Sequence, residues 1–256
     1  MYSMLHIRTD TYLQVALPSI EHKNSFRSNA QSHNLTTNNQ GFMMKNGVFI
    51  SLEGIEGAGK TTVLKSIQSK LRVEDRQIVY TREPGGTPIA ERIRALLTAH
   101  ENKDMLPMTE LLMMYASRNE HIQTIIKPAL ERGDIVISDR FVDASYAYQG
   151  AGRHISVATL ETLDEWIIQS CMPDLTICLT APVELCLERV YSRGNQDRFD
   201  EESASFFVAT QLGYQQRAKD DPDRIQLIDS SINPELVASN VMKCIYAIIE
   251  STDTKR

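Results

Sequence analysis

The chain has 256 residues, 42% of them hydrophobic, and a formal charge of −6 at pH 7. That length accommodates one large domain or two small ones with a sizeable core. The acidic balance excludes a general attraction to nucleic acid or anionic membranes, so any polyanion has to be met by a local cluster of arginines.

Residues 1–44 differ from the rest: Glu21 to Gln40 is rich in Asn, Ser, Gln and His with little apolar periodicity, the composition of a disordered extension. Met43-Met44-Lys45 directly precedes the first strand, so a mis-assigned start is the alternative. The opening residues carry no charged region followed by an apolar core, and no arginine-rich amphipathic pattern, which argues against a secretory leader.

From residue 48 onward, short β-branched runs alternate with amphipathic stretches, the pattern of a parallel sheet covered by helices on both faces. The strands are expected at Val48 to Glu53, Gln77 to Thr81, Ile135 to Asp139, Leu175 to Thr180 and Ile225 to Asp229. Each is short and mostly apolar, as a strand buried on both faces is. Helices are expected at Thr62 to Arg72, Pro88 to Ala99, Met108 to Leu130, Ser156 to Ser170, Pro182 to Ser192, Glu201 to Lys219 and Pro234 to Glu250. Pro88, Pro182 and Pro234 fall near helix starts, where a missing N–H costs least. Four cysteines, Cys171, Cys178, Cys186 and Cys244, form no CxxC pair and read as reduced core residues. No run reaches the roughly 20 apolar residues of a membrane-spanning helix. The expected location is the cytoplasm, with no nucleic-acid or membrane partner.

Gly54-Ile55-Glu56-Gly57-Ala58-Gly59-Lys60-Thr61 is a complete GxxxxGK[ST] loop lying between the first strand and the helix that begins at Thr62. That context gives the motif its meaning. Its glycines let the backbone curl so that successive N–H groups converge on phosphate oxygens at the positive end of the following helix. Lys60 adds a point charge for the outer phosphates, and the Thr61 hydroxyl is suited to magnesium. Ligands of such a sheet lie beyond the carboxyl ends of its strands. Arg82-Glu83-Pro84-Gly85-Gly86 follows the second strand and Asp139-Arg140 closes the third, so three charged or glycine-rich elements converge on one edge.

A phosphate loop defines a fold class and a nucleoside triphosphate, not a reaction. The nearest string to a guanine-reading Asn-Lys-x-Asp is Asn102-Lys103-Asp104, one residue short, which disfavours a GTPase. What distinguishes the chain is arginine at loop positions: Arg82, Arg94, Arg118, Arg140, Arg153, Arg193 and Arg198. Arginine grips phosphate bidentately and keeps its charge in a dry site. Seven of them suggest a site for two phosphorylated molecules.

The loop with its flanks, Glu53 to Thr62, together with Thr81-Arg82-Glu83-Pro84-Gly85-Gly86-Thr87 and Asp139-Arg140-Phe141 through Ser145, Tyr148, Gln149, Gly150 and Arg153, resembles the bacterial thymidylate kinases. The resemblance spans about residues 46 to 250. It implies an α/β domain over residues 45–256 of the P-loop NTPase type, with a five-stranded parallel sheet and a helical lid at about 189–200. The implied reaction moves a phosphoryl group from ATP to dTMP with magnesium, in a homodimer packed through Met108 to Leu130 and Ser156 to Ser170. No general base is required, because the acceptor phosphate is already largely anionic at neutral pH. The nearest rivals are another nucleoside monophosphate or deoxynucleoside kinase, and a non-catalytic ATP-binding regulator.

By the same resemblance Gly54 to Thr62 wrap ATP, Thr61 and Asp139 hold magnesium, and Arg140 clamps the dTMP phosphate with Arg94, Arg82, Glu83 and Pro84 nearby. Glu56 faces the acceptor, although on local sequence alone it reads as a solvated loop carboxylate. Arg118, Ser145 and Gln149 meet the pyrimidine, and Tyr148 crowds the ribose 2′ position or is a packing aromatic. Many relatives carry a phenylalanine over the base where this chain has Met114 followed by Tyr115, so either could cover the ring. Gly57 stands where some relatives have an arginine; the transition-state arginine is then expected from the lid as Arg193 or Arg198, with Arg189 a helix-surface charge.

Overall fold

Five apolar runs form β1 (Val48–Glu53), β2 (Ile78–Arg82), β3 (Ile135–Asp139), β4 (Leu175–Thr180) and β5 (Ile225–Asp229), all parallel, in the order β2-β3-β1-β4-β5. The computed structural model describes residues 47–194 and 197–254. The expectations for residues 1–44, and for Asn195 and Gln196 in the lid, lie outside the described residues. Central β1 is buried along its whole length, whereas edge strands β2 and β5 are only partly covered.

Period-two alternation divides β1 between two cores. Val48, Ile50 and Leu52 pack with Val63 and Ile67 of α1 (Lys60–Lys70) and Val241 and Ile245 of α9 (Pro234–Thr254). Phe49 packs on the opposite side, with Leu111 and Tyr115 of α3 (Pro107–His121) and Leu160 of α6 (Val157–Ile167). A central strand covered on both sides therefore needs an apolar residue at nearly every position, which is why β1 stands out in the sequence. Among the described residues no helix is long and apolar enough to cross a membrane.

The expected helix Met108 to Leu130 is one helical run in which α3 passes through a π-helical turn, Ile122–Ile126, into α4 (Lys127–Glu131). Polar caps define other starts: Thr87 opens α2 (Pro88–Thr98), Ser156 opens α6 and Ser203 opens α8 (Ala204–Asp220), each hydroxyl accepting from the N–H three residues on. Sequence gave no element at α5 (Val142–Ser145) and the π-helical stretch that continues it through Tyr146–Gly152. Its glycines weaken the helical signal, and packing supplies what propensity lacks. At Gly213 of α8 a Cβ would lie 2.9 Å from Ala147 Cα and 2.8 Å from Ala151 Cβ, so only glycine lets the two segments touch.

Below that contact, buried Asp143 accepts from Arg217 Nε (3.0 Å), Arg224 Nη1 (2.7 Å) and Thr176 Oγ1 (3.0 Å), tying α5 to α8 and β4. Burial pushes its carboxyl up, but Arg224 and Arg217 outweigh this and hold it below the usual range. Asp143→Ala leaves both guanidiniums without their shared carboxylate. It is expected to cost about 3–5 kcal/mol, read in calorimetry as a fall in Tm on the order of 10 °C. An unchanged Tm would refute the tie.

Candidate functional site

The parallel register aligns Arg82, Asp139 and Leu52 across β2, β3 and β1, so the loops leaving these strands share one edge. After β1 the loop enters α1 through Gly59, which has φ 97° and no side-chain cap; the Thr62 and Val63 N–H groups donate to its carbonyl, and those of Lys60 and Thr61 have no intrahelical acceptor. Ile55 and Ala58 anchor it by burying their side chains in the core, so the loop is held from beneath. Gly57 has φ 75°, and a Cβ there would collide with the Cys186 carbonyl of α7 (Val183–Arg193). An arginine at this position is therefore incompatible with the way α7 packs. Lys60 Nζ donates to the carbonyls of Gly54 (2.7 Å) and Ile55 (3.0 Å), and burial, aided by Arg140, pulls its ammonium down to about 8. Thr61 and Thr62 are exposed at the start of α1.

Two clefts flank this loop, with no lining residue in common. The first, about 540 Å³, brings together Glu56, Glu83, Pro84, Arg94, Met114 and Arg118 with Arg140, Ser145, Tyr148 and Gln149. The second, about 500 Å³, is bounded by Ala58, Gly59 and Thr62 of the loop together with Arg189, Ser230 and Pro234.

On the first cleft's wall, Arg140 Nη2 donates to Glu56 Oε1 (2.7 Å), Nη1 donates to Gly54 O (2.8 Å) and Tyr214 OH (3.1 Å), and the guanidinium lies 4.8 Å from the Tyr148 ring centroid. Tyr148 OH donates to Glu56 Oε2 at 2.5 Å. Burial raises the Glu56 carboxyl, yet Arg140 and Lys60 win and keep it ionised below the usual range. Arg94 donates from Nη1 to Pro84 O (2.9 Å), and burial lowers its pKa.

Arg118, 2% exposed, donates from Nε to Glu83 Oε2 (2.7 Å), from Nη1 to Ser145 Oγ (3.0 Å) and from Nη2 to Phe141 O (3.1 Å). Three of its five N–H groups are thereby used and two remain. His121 braces the other oxygen of Glu83 at 2.9 Å and contacts Thr81 Oγ1 at 2.6 Å. Asp139 ends β3 with Oδ1 buried and without a hydrogen-bond partner, a free hard donor of the kind magnesium takes. Among the described residues no three His, Cys, Asp or Glu side chains cluster as a self-sufficient metal cage. An ion here would need oxygens from phosphate or water.

Four expectations change, and a fifth, Arg193, cannot be placed among the described side chains. Arg82 is 51% exposed and paired with Glu91 at 2.8 Å, off the cleft, because the turn through Gly85 and Gly86 carries Glu83 and Pro84 inward but leaves it outside. Tyr115 is buried with its hydroxyl on Asp164 Oδ1 (2.7 Å), so Met114 lines the cleft and Tyr115 does not. Arg198 is 3% exposed, donates to Leu97 O (2.7 Å) and pairs with Glu110 (2.9 Å); it is a structural cation in this arrangement. Arg193 ends α7, and its side chain is outside the described residues. Arg189 is not a surface charge: it donates to Gly57 O (3.2 Å) and Ser230 O (3.3 Å) beside the second cleft. Sequence reasoning also missed Phe141, Asp197 and Phe199, which line the first cleft. The signal for the last two was their place beside Arg198.

The sequence model of the family described as Thymidylate kinase matches residues 52–241. Among curated relatives, the thymidylate kinase of Pseudomonas putida (strain GB-1) is 45% identical over 204 residues, covering 80% of this chain and 97% of the relative. That of Acinetobacter baylyi (strain ATCC 33305 / BD413 / ADP1) is 46% identical over 203 residues, 79% of this chain and 100% of the relative. The crystal structure of thymidylate kinase from Ehrlichia chaffeensis superposes with a TM-score of 0.63 at 32% identity, covering 78% of this chain and 99% of that one.

Proposed function

Since the chain belongs to the thymidylate kinase family, we propose that its second cleft holds the ATP nucleoside, its first holds dTMP, and the phosphate loop between them carries the transferred group. The enzyme phosphorylates dTMP to dTDP with ATP as donor. The family match disfavours the rival acceptors and the non-catalytic regulator. What supports the two-cleft assignment is the pair of separate clefts on the phosphate loop, one lined by Arg94, Arg118 and Arg140 and the other by Arg189.

In the proposed arrangement the loop amides and Lys60 neutralise the triphosphate, while Arg140 and Arg94 hold the acceptor phosphate in line with the γ-phosphorus. An acceptor oxygen forms the new P–O bond as the bond to the ADP oxygen breaks. No proton has to leave a nucleophile already ionised, so Glu56 is not a base. It fixes Arg140 and Tyr148, the latter beside the sugar. Magnesium, held by Asp139 and Thr61 together with phosphate oxygens, would supply charge neutralisation across the transferring group.

Exposed Met108 and Leu112, four residues apart on α3, and Trp166 on α6 support a homodimer through these helices. Free Cys171, Cys178, Cys186 and Cys244 suit the reducing cytoplasm proposed as its location. The test is ADP release with dTMP, dUMP, dCMP and thymidine. Turnover is expected to be fastest with dTMP and absent with thymidine, which lacks the phosphate that Arg140 grips. Preference for the free nucleoside would overturn the acceptor assignment.

A further inference from the structure

Glu110 of α3 is 0% exposed and stands behind the first cleft, outside its lining. Its Oε1 accepts from Gln149 Nε2 (2.9 Å) and Arg153 Nε (3.2 Å), while Oε2 meets Arg153 Nη2 (3.1 Å) and Arg198 Nη2 (2.9 Å). Three N–H-bearing nitrogens of two guanidiniums and the Gln149 amide face its two oxygens, so the carboxyl acts here as an acceptor. The amide facing it must therefore present its NH₂ group. That fixes which end of Gln149 points back and which points forward.

Gln149 is itself 1% exposed and lines the cleft. Its Oε1 takes no hydrogen bond among the described residues, and it is not one of the sealed unpaired atoms, so it opens onto the cleft. The cleft thus offers an acceptor at Gln149 and spare N–H donors at Arg118. A pyrimidine with a 4-keto group and an N3–H shows the complementary acceptor and donor. A 4-amino pyrimidine shows a donor and an acceptor, and both would be mismatched.

We propose that Glu110 is a specificity-positioning residue: it locks the Gln149 amide with its oxygen toward the base, so that the cleft takes 4-keto pyrimidine nucleotides and rejects 4-amino ones. The inference rests on the first cleft being the dTMP site. Arg153 and Arg198 hold the Glu110 carboxyl in place from its other side.

The test is kcat/KM for dTMP and for dCMP in the full chain, its Glu110→Gln variant and an Arg153→Met control. Glutamine at 110 can donate to Gln149 Oε1 and let the amide turn. The dTMP-to-dCMP ratio is expected to fall about ten- to hundredfold, because a turned amide leaves thymine's N3–H unpaired and meets cytosine's N3 instead. Arg153→Met leaves the carboxylate in place and the ratio unchanged, even if both activities decline. Should Glu110→Gln fold poorly, Glu110→Gln with Arg153→Met strands one guanidinium fewer and is expected to show the same fall. A wild type that turns over both nucleotides equally well overturns the assignment of the cleft, and this inference with it. A discriminating wild type whose ratio survives in the folded variants overturns the inference alone.

Discussion

Lys60→Ala is expected to lower kcat about 10²- to 10³-fold, the cost of deleting one preorganised charge from the place where the transition state gathers its own. Nζ is held to the loop by two carbonyls, at 2.7 Å on Gly54 and 3.0 Å on Ile55, so its position requires no reorganisation during transfer. Burial, with Arg140 second, brings its pKa to about 8. In the free enzyme the ammonium is then lost above about pH 8, and kcat/KM for ATP, which reports the free enzyme, is expected to decline there. Lys60→Arg keeps the charge at all accessible pH and is expected to abolish that decline even if its geometry lowers the rate.

The same group gives a sign to stability. Because its folded value of about 8 lies below the ordinary lysine value of 10.5, the unfolded chain binds the extra proton between these limits, and wild-type stability gains a rising component across that window. Lys60→Ala should lack this component, while its Tm at pH 7 stays within about 4 °C, the shift of 1 kcal/mol in a domain this size. A variant that loses activity only because it unfolds would show a much larger drop. Steady-state kinetics beside calorimetry separates the two outcomes.

The phosphate loop and all five strands were legible because each is dictated locally: glycine spacing by backbone curvature, central strands by burial on two faces, and edge strands by short β-branched runs. The convergence of Glu83 and Arg140 on one cleft agrees with their placement beyond strand ends, and Arg94, Arg118 and Gln149 reach it from α2, α3 and the π-helical stretch. Illegible features depend on long-range contacts. Arg82 and Arg94 carry the same charge twelve residues apart, yet a turn exposes one and buries much of the other. Glu110 was not singled out in the sequence, because its role appears only once α3 is packed against the π-helical stretch and the chain near Arg198. The helix over 142–152 depends on Gly213, more than sixty residues on. Tyr115 and Met114 are adjacent on α3, and which of them lines the cleft follows from Asp164 capturing the tyrosine hydroxyl. Arg198 looked available because its partners, Leu97 O and Glu110, lie about a hundred residues away.

Arg140→Ala is expected to weaken dTMP binding about 10²- to 10³-fold, as loss of one member of a buried charged pair does, while changing KM for ATP little. Two effects act together. The first is the lost grip on the acceptor phosphate; the second is the charge left behind, because Glu56, now without its 2.7 Å partner, faces an incoming dianion. Arg140 is also held in a costly conformation, with φ 72°. Its N–H donates to Leu52 O (3.0 Å), its carbonyl accepts from Ser138 Oγ (2.7 Å), and the next N–H, on Phe141, donates to Glu53 Oε1 (2.6 Å). Glu53, whose carboxyl burial pushes up to about 7, also accepts from Tyr214 OH (2.8 Å), the hydroxyl that receives an N–H from Arg140. The surroundings thus aim one guanidinium, as expected of a side chain whose position matters more than its comfort. Titration calorimetry on a double-mutant cycle separates the two effects. If stranded Glu56 charge contributes, adding Glu56→Gln to Arg140→Ala recovers part of the dTMP affinity, whereas Glu56→Gln alone weakens binding by loosening the arginine. Recovery in the double variant would show that Glu56 acts through Arg140, and unchanged affinity in Arg140→Ala would remove Arg140 from the acceptor site.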